Sequence, residues 1–115
     1  MPHCIIEYSK DLESSSPPLK LIQAVHHAAI GSGLFETGHI RTRSIAYENF
    51  IAGYDVQSFV HVTLRILFGR NLQQKKDLSR RVLGELESMG LSSISLTVEV
   101  SEIERETYAK KIINI

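Results

Sequence analysis

Apolar and polar residues alternate most strictly in two stretches of this chain. Across Phe59–Phe68, the residues Val60, Val62, Leu64, Ile66 and Phe68 fall on one side, with Phe59, His61, Thr63, Arg65 and Leu67 on the other. From Ser92 to Ser101, Ile94, Leu96, Val98 and Val100 oppose Ser93, Ser95, Thr97, Glu99 and Ser101. A period of two is the signature of a strand with one buried face. Between the two stretches the period lengthens. Leu78, Val82, Leu86 and Met89 recur at helical spacing behind a Gly69-Arg70-Asn71 turn, where Asn71 can cap the helix, and Gly90 ends it. The second half of the chain is therefore predicted to be β-α-β.

The first half follows the same plan less regularly. His3–Ser9 reads as a strand, although Ile5 and Ile6 are adjacent, and Lys10–Pro18 reads as a loop. Ser16-Pro17-Pro18 suits a helix start, since Ser can cap and Pro fits the first turn. Leu19, Ile22, Val25 and Ala29 mark that helix's apolar stripe, and Gly31 and Gly33 end it. His39–Tyr47 reads as a second strand, and the tail from Glu102 to Ile115 as a turn with a short closing strand. The expected class is α+β: one domain over residues 1–115, with a pseudo-repeat formed by 2–47 and 59–101. Strand-helix-strand connections imply parallel pairing within each half, giving one four-stranded sheet with two helices on one face. The other face, with Thr63, Arg65, Ser95, Thr97 and Glu99 among its residues, then has no helix to cover it. A cyclic homo-oligomer is expected to cover it instead.

Composition narrows the class without naming a chemistry. The 115 residues carry 13 Lys plus Arg against 13 Asp plus Glu, a formal net charge of zero. A dedicated nucleic-acid or anionic-membrane binder usually has a basic excess, so neither partner is expected. The single cysteine, Cys4, cannot form an intrachain disulfide and suits a reducing compartment. It is expected to be a buried small residue. No signal peptide and no membrane span is read, which points to a cytoplasmic chain.

Pro2 is the first residue that could carry chemistry. Removal of Met1 before so small a residue would leave a secondary amine at the start of a strand. An amide nitrogen has no basic lone pair, so only a terminal proline can act as a base. Burial and nearby cations would lower its pKa towards neutrality, where a proton shuttle works best. Met-Pro is equally a common protein start without a function. Arg41 and Arg43 sit two apart on a strand and so share a face, where two guanidiniums could grip carboxylates. Alone, the pair also fits a salt-bridged strand face in solvent, and Arg70 an exposed turn. The five histidines are read as structural, with His26 and His27 pointing to different sides of a helix. Glu7 could orient a base or a substrate. No metal-binding, dinucleotide or phosphate-loop motif is present.

Several segments together resemble the 5-carboxymethyl-2-hydroxymuconate isomerase family of the tautomerase superfamily. They are the opening Met-Pro-His-Cys-Ile-Ile-Glu-Tyr-Ser, the stretch Gly38-His39-Ile40-Arg41-Thr42-Arg43, Phe59–Arg65 followed by Gly69-Arg70, and Ser95–Val100. The resemblance implies two β-α-β units per chain and a homotrimer. It implies that Pro2 moves a proton between an enol oxygen and a carbon and that Arg41 binds or polarises an acidic substrate. Arg43 and Arg70 then become substrate-binding candidates. No cofactor or metal is implied, and the expected substrate is a di- or tricarboxylate such as 5-carboxymethyl-2-hydroxymuconate. Phenylpyruvate tautomerisation, hydration or dehalogenation of haloacrylates, and a non-catalytic trimeric binding protein are the alternatives. The linker 44–58 and the tail after Glu102 depart from the family pattern, which leaves the substrate less defined than the chemistry.

Overall fold

The computed structural model describes residues 1–114. Its elements run β1 (Pro2–Ser9), a 3-10 turn (Lys10–Ser14), α1 (Pro18–Gly31), a 3-10 turn (Thr37–His39), β2 (Arg41–Tyr47), β3 (Ser58–Leu67), α2 (Leu72–Glu87), β4 (Ile94–Ile103) and a 3-10 turn (Arg105–Thr107). The strands form one sheet in the order β2-β1-β3-β4. β1 pairs with β2 in parallel and β3 with β4 in parallel, while β1 and β3 join the two halves antiparallel.

Local chemistry sets the helix ends. Pro18 occupies the first turn of α1, where its missing N–H costs no hydrogen bond. Asn71 caps α2 reciprocally: the Gln74 amide donates to Asn71 Oδ1 at 2.8 Å, and the Asn71 amide donates to Gln74 Oε1 at 2.9 Å. Gly69 turns the chain between β3 and α2 at φ +133°, a conformation that a β-carbon would strain.

The core lies between the sheet and the two helices. Cys4, Ile6, Val60, Val62, Leu64 and Ile66 meet Leu21, Val25, Leu78, Val82 and Leu86, all fully or almost fully buried. Each such Val, Leu or Ile side chain contributes about 1.5–3 kcal/mol of burial free energy. Ile94, Leu96, Val98 and Val100 pack against the margin of this cluster.

The structure moves several sequence-based boundaries. β2 begins at Arg41, because Thr37–His39 closes into a 3-10 turn with His39 N–H donating to Glu36 O at 2.9 Å. Leu21, not Leu19, anchors α1; Leu19, in the first turn, is 58% exposed. Phe68 lies beyond the end of β3 and is exposed. β4 starts two residues later than expected and runs on to Ile103, whose carbonyl accepts from Phe68 N–H at 3.0 Å. Among the described residues the tail forms a 3-10 turn and no closing strand; Ile115 lies outside them.

Both helices cover one face of the sheet. The other carries Ile5, Glu7, Ile45, Tyr47, Phe59, His61, Thr97 and Glu99. On it His61 bonds Thr97 Oγ1 and Glu99 Oε2, each at 2.7 Å, and Tyr47 donates to Glu7. Phe50 from the linker packs edge-on against Phe59. No described helix is long and apolar enough to cross a membrane.

Candidate active site

Four of the segments singled out in the sequence meet at one end of the sheet. Pro2 opens β1 and pairs with Ile66 near the end of β3; the next residue, His3, lies between Arg41 of β2 and Arg65 of β3. The antiparallel join of the two halves thus places the start of β1 beside the end of β3. Arg70, in the turn that follows, comes to the same end. Thr42 turns towards α1, where its Oγ1 lies 2.7 Å from His26 Nδ1, so its neighbours Arg41 and Arg43 share the opposite face.

A cavity of about 350 Å³ opens here, lined by Met1, His3, Arg41, Arg43 and residues Tyr108–Ile112 of the tail. The side chain of Pro2 is buried beneath it. The amine of Met1 is held below its ordinary pKa, first by burial and then by the charges of Lys110, Arg70 and Arg41, with Glu36 opposing them. Arg41, Arg43, Arg65, Arg70, Lys110 and Lys111 form no ion pair with any carboxylate among the described residues. Like charges gathered without counter-ions repel, and an anion is what such a cluster accommodates best.

The arginines differ in how much of their fork is free. Arg41 spends Nη1 on Gly38 O at 3.0 Å. Arg43 Nη1 donates to His3 Nδ1 at 3.1 Å. Arg70 is tied from behind: Nη2 donates to Leu34 O at 2.5 Å, and its guanidinium carbon stands 5.5 Å from the centre of the Phe35 ring. Arg70 does not line the cavity and reaches the amine through its field alone.

His3 lines the cavity, although the sequence reading took it for a structural histidine. Burial, then Arg43, Arg41 and Arg65, hold its pKa below the ordinary value. Of the other four histidines, His26 pairs with Thr42, His39 with Glu36 and His61 with Glu99, while His27 is exposed on α1. Glu7 lies five residues along β1, about 17 Å from Pro2 at strand rise, and is engaged by Tyr47. Cys4 is fully buried, and burial pushes its thiol up to about 11, which makes it inert as a nucleophile. Among the described residues no group of three or more His, Cys, Asp or Glu is placed to hold a metal ion. Sequence reasoning missed Tyr108 and Lys110, whose only local signal is an aromatic followed closely by two lysines in an aperiodic tail.

A larger concavity, about 790 Å³, adjoins this one between α1 and the free edge of β2, with Arg41 and Arg43 on the border of both. Ile22, Ile30 and Ile40 line it with His26 and His27.

Comparison with solved structures gives the same fold. A 5-carboxymethyl-2-hydroxymuconate delta-isomerase superimposes with a TM-score of 0.83 at 18% identity, over 99% of this chain and 89% of the other. A 5-carboxymethyl-2-hydroxymuconate isomerase from Deinococcus radiodurans R1 gives 0.79 at 24% identity, over 96% and 88%. A fused 4-OT described as a wild-type symmetric trimer gives 0.68 at 15% identity, over 90% and 86%. No curated protein matches the sequence. The model of one family, 5-carboxymethyl-2-hydroxymuconate isomerase, matches residues 2–115. A match of that extent establishes that the chain belongs to the 5-carboxymethyl-2-hydroxymuconate isomerase family.

Proposed function

We propose that this chain is a cofactor-free keto-enol isomerase whose base is the amine of Pro2 once Met1 has been removed. The observation that carries this reading is a terminal amine in a cavity, surrounded by cations that have no described carboxylate partner. With Met1 gone, the nitrogen of Pro2 becomes the terminal amine, one residue closer to the strand. The same cationic field then favours its neutral form, the form able to accept a proton. The family match also opens on Pro2.

The substrate class follows from the charges. A carboxylated 2-hydroxymuconate-type dienol such as 5-carboxymethyl-2-hydroxymuconate brings carboxylates for the arginines and an enol hydroxyl for the amine. Pro2 accepts the hydroxyl proton and returns it to a carbon of the dienol, so the double bonds shift and a ketone forms. Arg41 binds the carboxylate beside that ketone and stabilises the charge that develops on oxygen. Arg43, which lines the cavity, offers a secondary carboxylate contact, and Arg70 contributes positive field. A buried free thiol at Cys4 fits a reducing, cytoplasmic setting.

The direct experiment follows ketonisation of 2-hydroxymuconate and of its 5-carboxymethyl derivative by ultraviolet absorbance. Turnover far above the buffer rate is expected with at least one of them. A rate equal to buffer with both would remove the isomerase reading.

The same proposal includes a homotrimer. Ile5, Ile45, Tyr47, Phe50 and Phe59 give the open sheet face an apolar component, and β2 ends the sheet with an unpaired edge. A cyclic assembly satisfies both. Light scattering on the purified protein is expected to give the mass of three copies of the 12.9 kDa chain; a monomer mass at micromolar concentration would contradict it.

A further inference from the structure

Among the described residues the tail after the last 3-10 turn has no regular secondary structure, yet it is fastened to the sheet by a specific chain of hydrogen bonds. Tyr108 Oη lies 2.8 Å from His3 Nε2, and the two rings meet edge to face, 5.9 Å apart at 69°. His3 Nδ1 is occupied by Arg43. A guanidinium can only donate, so Nδ1 is the acceptor, and the hydrogen of the neutral ring sits on Nε2. His3 therefore donates to the Tyr108 oxygen. The order Arg43 to His3 to Tyr108 ties β2, β1 and the tail together in one direction of donation.

That tether sets where the next residues lie. Lys110 and Lys111 line the same cavity as Met1, Arg41 and Arg43. Neither lysine pairs with a carboxylate among the described residues. Of the charges that depress the Met1 amine's pKa, Lys110 is the strongest, ahead of both Arg70 and Arg41. Lys110 and Arg41 thus reach the amine from different elements, the tail and β2. A substrate with a single carboxylate can neutralise one of them; a substrate with several can neutralise both.

We infer that Tyr108–Ile112 is a wall of the anion site and that Lys110 is a specificity-determining residue, binding a substrate carboxylate other than the one held by Arg41. The inference rests on the isomerase reading for its kinetic test and on the cavity alone for its binding test. Lys110→Met keeps the length of the side chain and removes its charge. Lys110→Arg keeps the charge.

The experiment compares wild type, Lys110→Met and Lys110→Arg on 5-carboxymethyl-2-hydroxymuconate and on a monocarboxylate enol such as the enol of phenylpyruvate. Calorimetric titration with tricarballylate, an unreactive tricarboxylate, runs in parallel. On the alkaline plateau, Lys110→Met is expected to raise KM for the tricarboxylate by roughly 10- to 100-fold, the worth of one charge-assisted hydrogen bond. The change in kcat and in the monocarboxylate KM should be much smaller, and Lys110→Arg should restore the loss. The acidic limb of kcat/KM should also move to higher pH in Lys110→Met and not in Lys110→Arg. Equal losses on both substrates, or no loss on the tricarboxylate, would overturn the inference. Should wild type turn over neither substrate, the isomerase reading fails and the titration decides. Tricarballylate binding weakened by Lys110→Met keeps the anion wall; equal affinity, or no binding by wild type, removes it.

Discussion

Protein that keeps Met1 is expected to ketonise the dienol about 10²- to 10⁴-fold more slowly than the processed chain, the range contributed by a positioned base. The two forms share every side chain from Pro2 onwards. They differ in the nitrogen of Pro2, which is an amide in one and an amine in the other. An amide nitrogen has delocalised its lone pair and cannot accept a proton at any working pH. The primary amine of Met1 is no substitute, because it sits one residue further from the strand. Expression with methionine aminopeptidase inhibited would yield the retained form, and intact mass would show it. Digestion of that form with the aminopeptidase should restore the rate.

The pH dependence follows from the same arrangement. A primary terminal amine ordinarily has a pKa of about 7.7–8.0, and the secondary amine of a terminal proline lies higher. Burial and the charges of Lys110, Arg70 and Arg41 lower the pKa of the Met1 amine, and the same field is proposed to act on the Pro2 amine one residue away. The neutral amine is the active form, so kcat/KM should rise with pH through the lowered pKa and level off above it, with the ascending limb below the ordinary pKa of a terminal proline. Equal rates from the two forms would show that another group removes the proton.

Period and punctuation made much of this molecule legible in the sequence. Val60 to Ile66 and Ile94 to Val100 alternate because one face of each strand meets the helices. Asn71 and the Leu78-Val82-Leu86 stripe mark α2 because its other faces are charged. α1 was harder to orient. Leu19, Leu21 and Ile22 stand close together in a helix with one charged residue, so its pattern does not choose between faces, and contact with the sheet selects Leu21. The shared face of Arg41 and Arg43 follows from a period of two. The tail does not follow from any period. Tyr108 finds His3 across 105 positions of sequence, so its place depends on the completed sheet and on no local signal. His3 was hidden for the same reason: its role depends on Arg43 and Tyr108, which only the fold brings beside it.

Among the cations, loss of Arg41 is expected to cost the most. Arg41→Ala should lower kcat/KM by about 10²- to 10³-fold, the usual loss when a donor to a developing oxyanion is removed. Three observations single it out. Its side chain lines the cavity, which that of Arg70 does not. One N–H of its fork is fixed on Gly38 O, which orients the guanidinium and leaves its other donors for substrate. Arg43 commits Nη1 likewise, to the His3 side chain, but is not among the charges that lower the terminal amine's pKa, and Arg70 is drawn back towards Leu34 and Phe35. Because Arg41 would serve the transition state more than the bound substrate, the loss should fall on kcat at least as heavily as on KM. Arg41→Lys should recover only part of it, since an ammonium supplies the charge without the planar pair of donors. Its pH profile offers a second readout. Arg41 helps depress the amine's pKa, so Arg41→Ala should shift the ascending limb to higher pH while Arg41→Lys leaves it near the wild-type position. A larger loss from Arg43→Ala than from Arg41→Ala would reverse the order and move the oxyanion contact to Arg43, two residues along β2.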